Sequence, residues 1–89
     1  MLAKKRKPSA EAAEDADLID RAKRDPKQFG MLYDKYFKQI YVFIFKRTAD
    51  EALAGDLTSQ TFTKAMLKLA DYEHKGYPFS SWLYRIAAN

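Results

Sequence analysis

Eighty-nine residues, a net charge of +4 and no cysteine allow one small domain and exclude a disulfide framework or any thiolate centre. No apolar run approaches the roughly 20 residues that span a bilayer, and no hydrophobic segment follows the lysine-rich start as it would in a secretory signal. The expectation is a soluble, cytoplasmic, monomeric protein without a membrane contact, whose core must be efficient because the chain is close to the lower size range for independent folding. Lys4, Lys5, Arg6 and Lys7 cancel against Glu11, Glu14, Asp15 and Asp17, so the whole excess belongs to residues 18–89, with twelve bases and eight acids. That mild basicity is compatible with a polyanionic partner without requiring one.

Residues 1–17 read as a disordered charged tail, a basic cluster and Pro8 followed by alternating alanine and acid with almost nothing large to bury. A first short helix is expected from Asp17 to about Arg24, capped by Asp15 or Asp17 and burying Leu18, Ile19 and Ala22; Asp25-Pro26 ends it, because the residue before proline is pushed out of the helical region. A second helix, from about Pro26 to Arg47, gathers Phe29, Leu32, Tyr33, Tyr36, Ile40, Phe43 and Ile44 on one face with Lys35, Lys38 and Lys46 opposite. Val42 and Phe45 fall off that face, and either meet the first helix or form an apolar patch for a partner. Thr48 and Glu51 have the spacing of a capping box, with Asp50 as a competing cap. The third helix that follows, to about Ala70, turns Leu57, Thr61, Phe62, Ala65 and Leu69 inward. It leaves Leu53, Asp56, Ser59, Gln60, Thr63 and Leu67 as a neighbouring ridge without a core role.

The loop from Asp71 to Pro78 holds Gly76, Pro78, Tyr72, Tyr77, His74 and Lys75, and a final helix completes the chain. At about 100° per residue, Phe79, Trp82, Leu83 and Ile86 lie on one arc of that helix, and Ser81, Tyr84, Arg85, Ala88 and Asn89 on the other. The displayed arc offers an arginine, an amide and hydroxyls beside a tryptophan, which suits a ligand with planar rings and hydrogen-bonding edges, such as bases. No alternating strand pattern and no repeat is present, so the fold class is all-α, a small bundle of about four helices. There is no glycine-rich phosphate loop, no histidine pair at ligand spacing and no nucleophile elbow, and the single histidine lies in a loop. Neither a cofactor, a metal nor an enzymatic activity is expected.

DLTSQTF from Asp56 to Phe62, followed by FSSWLYRIAAN from Phe79 to Asn89, resembles region 2 of the bacterial sigma-70 family of sigma factors, most closely the extracytoplasmic-function (ECF) group. The match in order and spacing runs from Leu18 to Asn89 and includes Phe29, Leu32 and Tyr33. The resemblance implies a non-enzymatic specificity subunit of RNA polymerase that docks on the core enzyme and recognises and helps melt the promoter minus-ten element in transcription initiation. It implies that Leu53, Asp56, Ser59, Gln60, Thr63 and Leu67 meet the clamp helices of the core β′ subunit, and it leaves room for an anti-sigma partner. The family usually has glutamine at Ser59 and glutamate at Gln60, so one expected carboxylate is missing there. Tyr72 would help form a pocket for a flipped base of the non-template single strand, and Asn89 would read a base edge. Lys75 and Arg85 would attract phosphate, Ser80 and Ser81 would donate to backbone oxygens, and Tyr77 and Trp82 complete the DNA-binding set. The family carries a helix-turn-helix domain after this region, and the expectation is that these 89 residues hold the region 2 domain without it. The competing reading is a helical protein-interaction domain with no DNA contact, its aromatics all core and the Asp56 ridge its interface.

Overall fold

The structure, a computed structural model, describes residues 10–89; the basic cluster Lys4–Lys7 lies outside them. Four α-helices run in order: α1 (Ala10–Arg24), α2 (Phe29–Thr48), α3 (Glu51–Lys68) and α4 (Phe79–Ala88). Two single turns of 3-10 helix, Pro26–Gln28 and Leu69–Asp71, connect α1 to α2 and close α3. No strand occurs among the described residues, and the expected small all-α bundle is the fold found.

Helix boundaries follow local chemistry. Asp25 is extended, accepts from the Lys27 backbone N–H at 3.1 Å and precedes Pro26, which stops α1 and starts the 3-10 turn. At the α2–α3 junction Asp50 is the cap: its carboxylate accepts from Leu53 N–H at 3.0 Å, while the Thr48 hydroxyl accepts from Asp50 N–H at 3.2 Å. α2 itself ends at Ala49 in the left-handed region, φ 54°, with its N–H on the Phe45 carbonyl at 2.8 Å.

α2 is the central element, packing against each of the other three helices. Its buried stripe of Phe29, Leu32, Tyr36, Ile40 and Ile44 recurs at helical spacing and meets Ile19 and Ala22 of α1, Ala54, Phe62 and Ala65 of α3, Leu69, and Phe79 and Leu83 of α4. Thr58 and Thr61 are buried on α3, and their hydroxyls bond back to the Ala54 and Leu57 carbonyls at 2.7 and 2.9 Å, so nothing polar is left unpaired there. A row of rings, Tyr33, Phe37, Tyr41 and Phe45, runs along α2 at four-residue intervals, with Phe62 against Tyr33 and Phe37. Phe45 thus stacks on Tyr41 within its own helix, whereas Val42 is exposed beside Phe43 and Tyr84; the two do not form one patch.

The largest departure from the sequence expectation lies at the start. The stretch to residue 17, expected to be without structure, is helical from Ala10 onward, and Asp15 is fully buried. The physical reason is what it meets. One oxygen of the Asp15 carboxylate accepts from the Tyr36 hydroxyl at 2.6 Å and from the Phe79 backbone N–H at 2.9 Å; the other accepts from the Lys35 ammonium at 2.7 Å. A buried carboxylate is tolerable when it is paired and its lone pairs are filled, and here three donors from α2 and α4 do so. Lys35, expected to face solvent, is drawn in and also reaches Glu14 at 2.6 Å.

Candidate nucleic-acid interface

α4 begins without a local cap, since Pro78 precedes it and offers no side-chain acceptor. Asp15 of α1 supplies the missing acceptor from across the bundle, which fixes where α4 starts. The first residue, Phe79, is fully buried and its ring touches Tyr36 of α2, Tyr72 of the loop and Trp82 one turn on. The loop is held as well: the Lys23 ammonium of α1 donates to the Tyr72 carbonyl at 2.5 Å. Gly76 takes φ 86°, the conformation that lets the chain turn towards Pro78.

Between this loop and α4 opens a cleft of about 410 Å³, lined by Asp71, Tyr72, Glu73, Lys75, Tyr77, Pro78, Ser81, Trp82 and Arg85. Its wall is aromatic. The Tyr72 and Trp82 rings lie 4.7 Å apart at 45°, both half-buried, and Tyr77 stands at the rim, 69% exposed. The charges around the mouth cancel, Asp71 and Glu73 against Lys75 and Arg85, and Lys75 leans towards Glu73 at 3.9 Å. A cradle built for phosphate would not carry two carboxylates, so the cleft suits an uncharged planar group with polar edges better than a chain of phosphates. Burial first, then the nearby charge of Asp15, raises the Tyr72 phenol above its ordinary value of 10.0, with Arg85 pulling the other way. The ring therefore stays neutral at physiological pH and keeps its hydroxyl proton.

Six of the eight residues expected to face DNA are thus gathered in one place: Tyr72, Lys75, Tyr77, Ser81, Trp82 and Arg85. The other two are not. Ser80 is 7% exposed and points into the bundle, because position 80 lies on the arc between buried Leu83 and Tyr84, which is itself packed on Phe43. Asn89 is exposed at the far end of α4, beside a second groove shared with Arg47, Gln60 and Lys64. Tyr84, expected on the displayed arc, is half-buried: its ring meets Phe43 edge-on at 4.9 Å and its hydroxyl accepts from Gln39 at 2.9 Å. His74 lies in the same loop, its Nδ1 buried without a hydrogen-bond partner.

The α3 ridge is a separate surface. Leu53, Asp56, Ser59, Gln60, Thr63 and Leu67 are all exposed, and Leu67 is 74% so, a large apolar side chain left in water. Among the described residues no group of histidine, cysteine or carboxylate side chains is placed to hold a metal, and no helix is long and apolar enough to cross a membrane.

Sequence reasoning gave Asp15 a local role as a cap of the first helix and gave Lys23 none. α1 already begins at Ala10, so Asp15 and Asp17 lie inside it, and Asp15 and Lys23 hold the cleft from behind. A signal for Asp15 existed: positions 15, 19 and 22 share one helix face, and Ile19 and Ala22 were already assigned to the core. The uncapped start at Tyr77-Pro78 was the complementary signal that an acceptor had to arrive from elsewhere.

The described residues thus form an all-helical domain with an aromatic cleft at its last helix and an exposed stripe on the helix before it. The family model for sigma-70 region 2 matches residues 32–89, and the chain belongs to that family. Among relatives, the ECF RNA polymerase sigma factor BldN of Streptomyces coelicolor is 37% identical over 94% of this chain and 33% of its own length. The ECF RNA polymerase sigma factor SigM of Bacillus subtilis is 33% identical over 65% of this chain and 34% of its own. The RNA polymerase sigma-H factor of Pseudomonas aeruginosa is 34% identical over 85% and 39%. The chain thus spans about a third of the length of the curated relatives it matches. No solved structure matches it significantly.

Proposed function

We propose that this chain is the promoter-opening part of a sigma factor: it docks on core RNA polymerase through the α3 ridge and traps an unpaired base of the minus-ten element in the Tyr72–Trp82 cleft. The observation that carries the reading is that cleft, two rings 4.7 Å apart with Ser81 and Arg85 at the same mouth. Stacking on such rings is worth roughly 1–3 kcal/mol per base, enough to offset unstacking of a few base steps without ATP. Leu53 and Leu67 supply the apolar part of the docking stripe and Asp56 its charge towards the β′ clamp helices. Asn89, away from the cleft, would address a neighbouring nucleotide rather than the trapped base. In this role the protein is a transcription initiation factor, acting by binding.

The test is binding of a labelled single-stranded minus-ten oligonucleotide in the presence of core polymerase. Tyr72→Ala is expected to weaken it about tenfold, the loss of one stacked base, and Asp56→Ala to weaken core association instead. If Tyr72→Ala and Asn89→Ala both left oligonucleotide binding and promoter opening unchanged while Asp56→Ala abolished core association, a protein-only interaction domain would be the better reading.

A further inference from the structure

We infer that α1 is a clamp that presets the base-trapping cleft, with Asp15 and Lys23 as its two positioning residues. The inference rests on the proposed function for what the cleft does, but not for how it is held. α1 precedes the residues matched by the family model, which begin at 32, and none of its side chains lines the cleft. Even so, it grips the cleft on both sides. Asp15 caps the first N–H of α4, 64 positions away in the chain, and so fixes the helix that carries Ser81, Trp82 and Arg85. Lys23, two turns further along α1, holds the carbonyl of Tyr72 and so fixes the loop that carries the opposing ring. The same Asp15 oxygen that receives Phe79 also receives Tyr36, the residue whose ring packs against Phe79, so a shift of α4 breaks its bond to Asp15 and slides Phe79 off a ring that Asp15 holds in place.

A cleft formed only part of the time binds with an affinity reduced by the fraction formed. Releasing either grip lowers that fraction, and Trp82 reports it directly, being the only tryptophan in the chain and half of the aromatic wall. The experiment uses the full chain, free for fluorescence and bound to core polymerase for single-strand affinity, with Asp15→Ala, Asp15→Asn and Lys23→Ala. Acrylamide quenching of Trp82 is expected to rise in Asp15→Ala and Lys23→Ala, and affinity for the minus-ten single strand to fall about tenfold if the cleft is formed one time in ten. Core association through α3 is expected to hold. Asp15→Asn keeps an acceptor for the Phe79 N–H and is expected to restore most of the protection. Should Asp15→Ala fail to fold, Lys23→Ala decides, since Lys23 is exposed and its loss leaves the core intact. Unchanged quenching and affinity in Lys23→Ala and in folded Asp15→Ala overturn the clamp. Raised quenching in both, with single-strand affinity indifferent even to Tyr72→Ala, supports the clamp and removes the base-trapping reading instead.

Discussion

Asp15 is the buried charge that both Lys35 and Tyr72 feel. Burial pulls the Lys35 ammonium down, but its hydrogen bonds to Asp15 and Glu14 and their charges more than reverse this, and its pKa ends above the ordinary 10.5. Tyr72 is raised too, by burial and then by the charge of Asp15. Both groups hold their proton more tightly folded than unfolded. Their contribution to stability is therefore complete below the unfolded values and is lost as pH rises through those values and then through the folded ones. Urea midpoints are expected to fall from about pH 10 upward, and to fall less steeply in Lys35→Gln; a midpoint that rose in that range would contradict the network. None of this was legible from composition. Asp15 sits in a run of alanines and acids that looks unfoldable by local criteria, and only the partners waiting at Lys35, Tyr36 and Phe79, at least 20 positions away, make it a buried anchor.

Within the elements, helical spacing carries most of the core pattern, though on α3 it turns Leu57 inward, which is half-buried, and passes over the fully buried Ala54 and Thr58. The α2 stripe and the Phe79, Leu83 pair on α4 follow from spacing alone, and the exposed ridge on α3 followed by elimination. Ends and twist were harder. Thr48 and Asp50 both satisfy the rule for a cap, and Asp50 takes the role because its carboxylate meets Leu53 N–H while Thr48 is still inside α2. The ring row from Tyr33 to Phe45 escaped because Phe37 and Tyr41 lie half-buried on the shoulder of the core face, with Phe62 of α3 against Phe37. Two glycines separate helix propensity from turn geometry. Gly55 lies inside α3 at ordinary helical φ, and a Cβ there would meet nothing within 4 Å. Gly55→Ala is expected to stabilise by about 1 kcal/mol, a Tm rise of about 4–8 °C for a domain of this size. Gly76 is equally open but at φ 86°. Gly76→Ala is expected to cost about 1–2 kcal/mol through backbone strain alone, and calorimetry on the two variants distinguishes the causes.

For the whole molecule, the arrangement keeps the proposed docking ridge apart from the proposed base-trapping cleft. The α3 ridge and the α4 cleft share no lining residue, and the bundle between them is continuous core from Phe62 and Ala65 to Phe79 and Leu83. The two faces can thus be loaded without competing for side chains, so they should contribute independently when the chain, seated on core polymerase, captures a single strand. On the proposed function, Asp56→Ala is expected to weaken the first contact and Tyr72→Ala the second. Measured as capture of the minus-ten oligonucleotide across a double-mutant cycle, the two losses are expected to add to within about 0.5 kcal/mol, the behaviour of sites without shared partners. A coupling of more than about 1 kcal/mol would mean that docking alters the cleft. The route for such coupling would be the 3-10 turn Leu69–Asp71, where buried Leu69 ends α3 and its carbonyl accepts the Tyr72 N–H at 3.0 Å. Independence is the expected result because Tyr72 is fixed at its carbonyl by Lys23 of α1, and α4 by Asp15, so both walls of the cleft are anchored to a helix that the α3 ridge does not include.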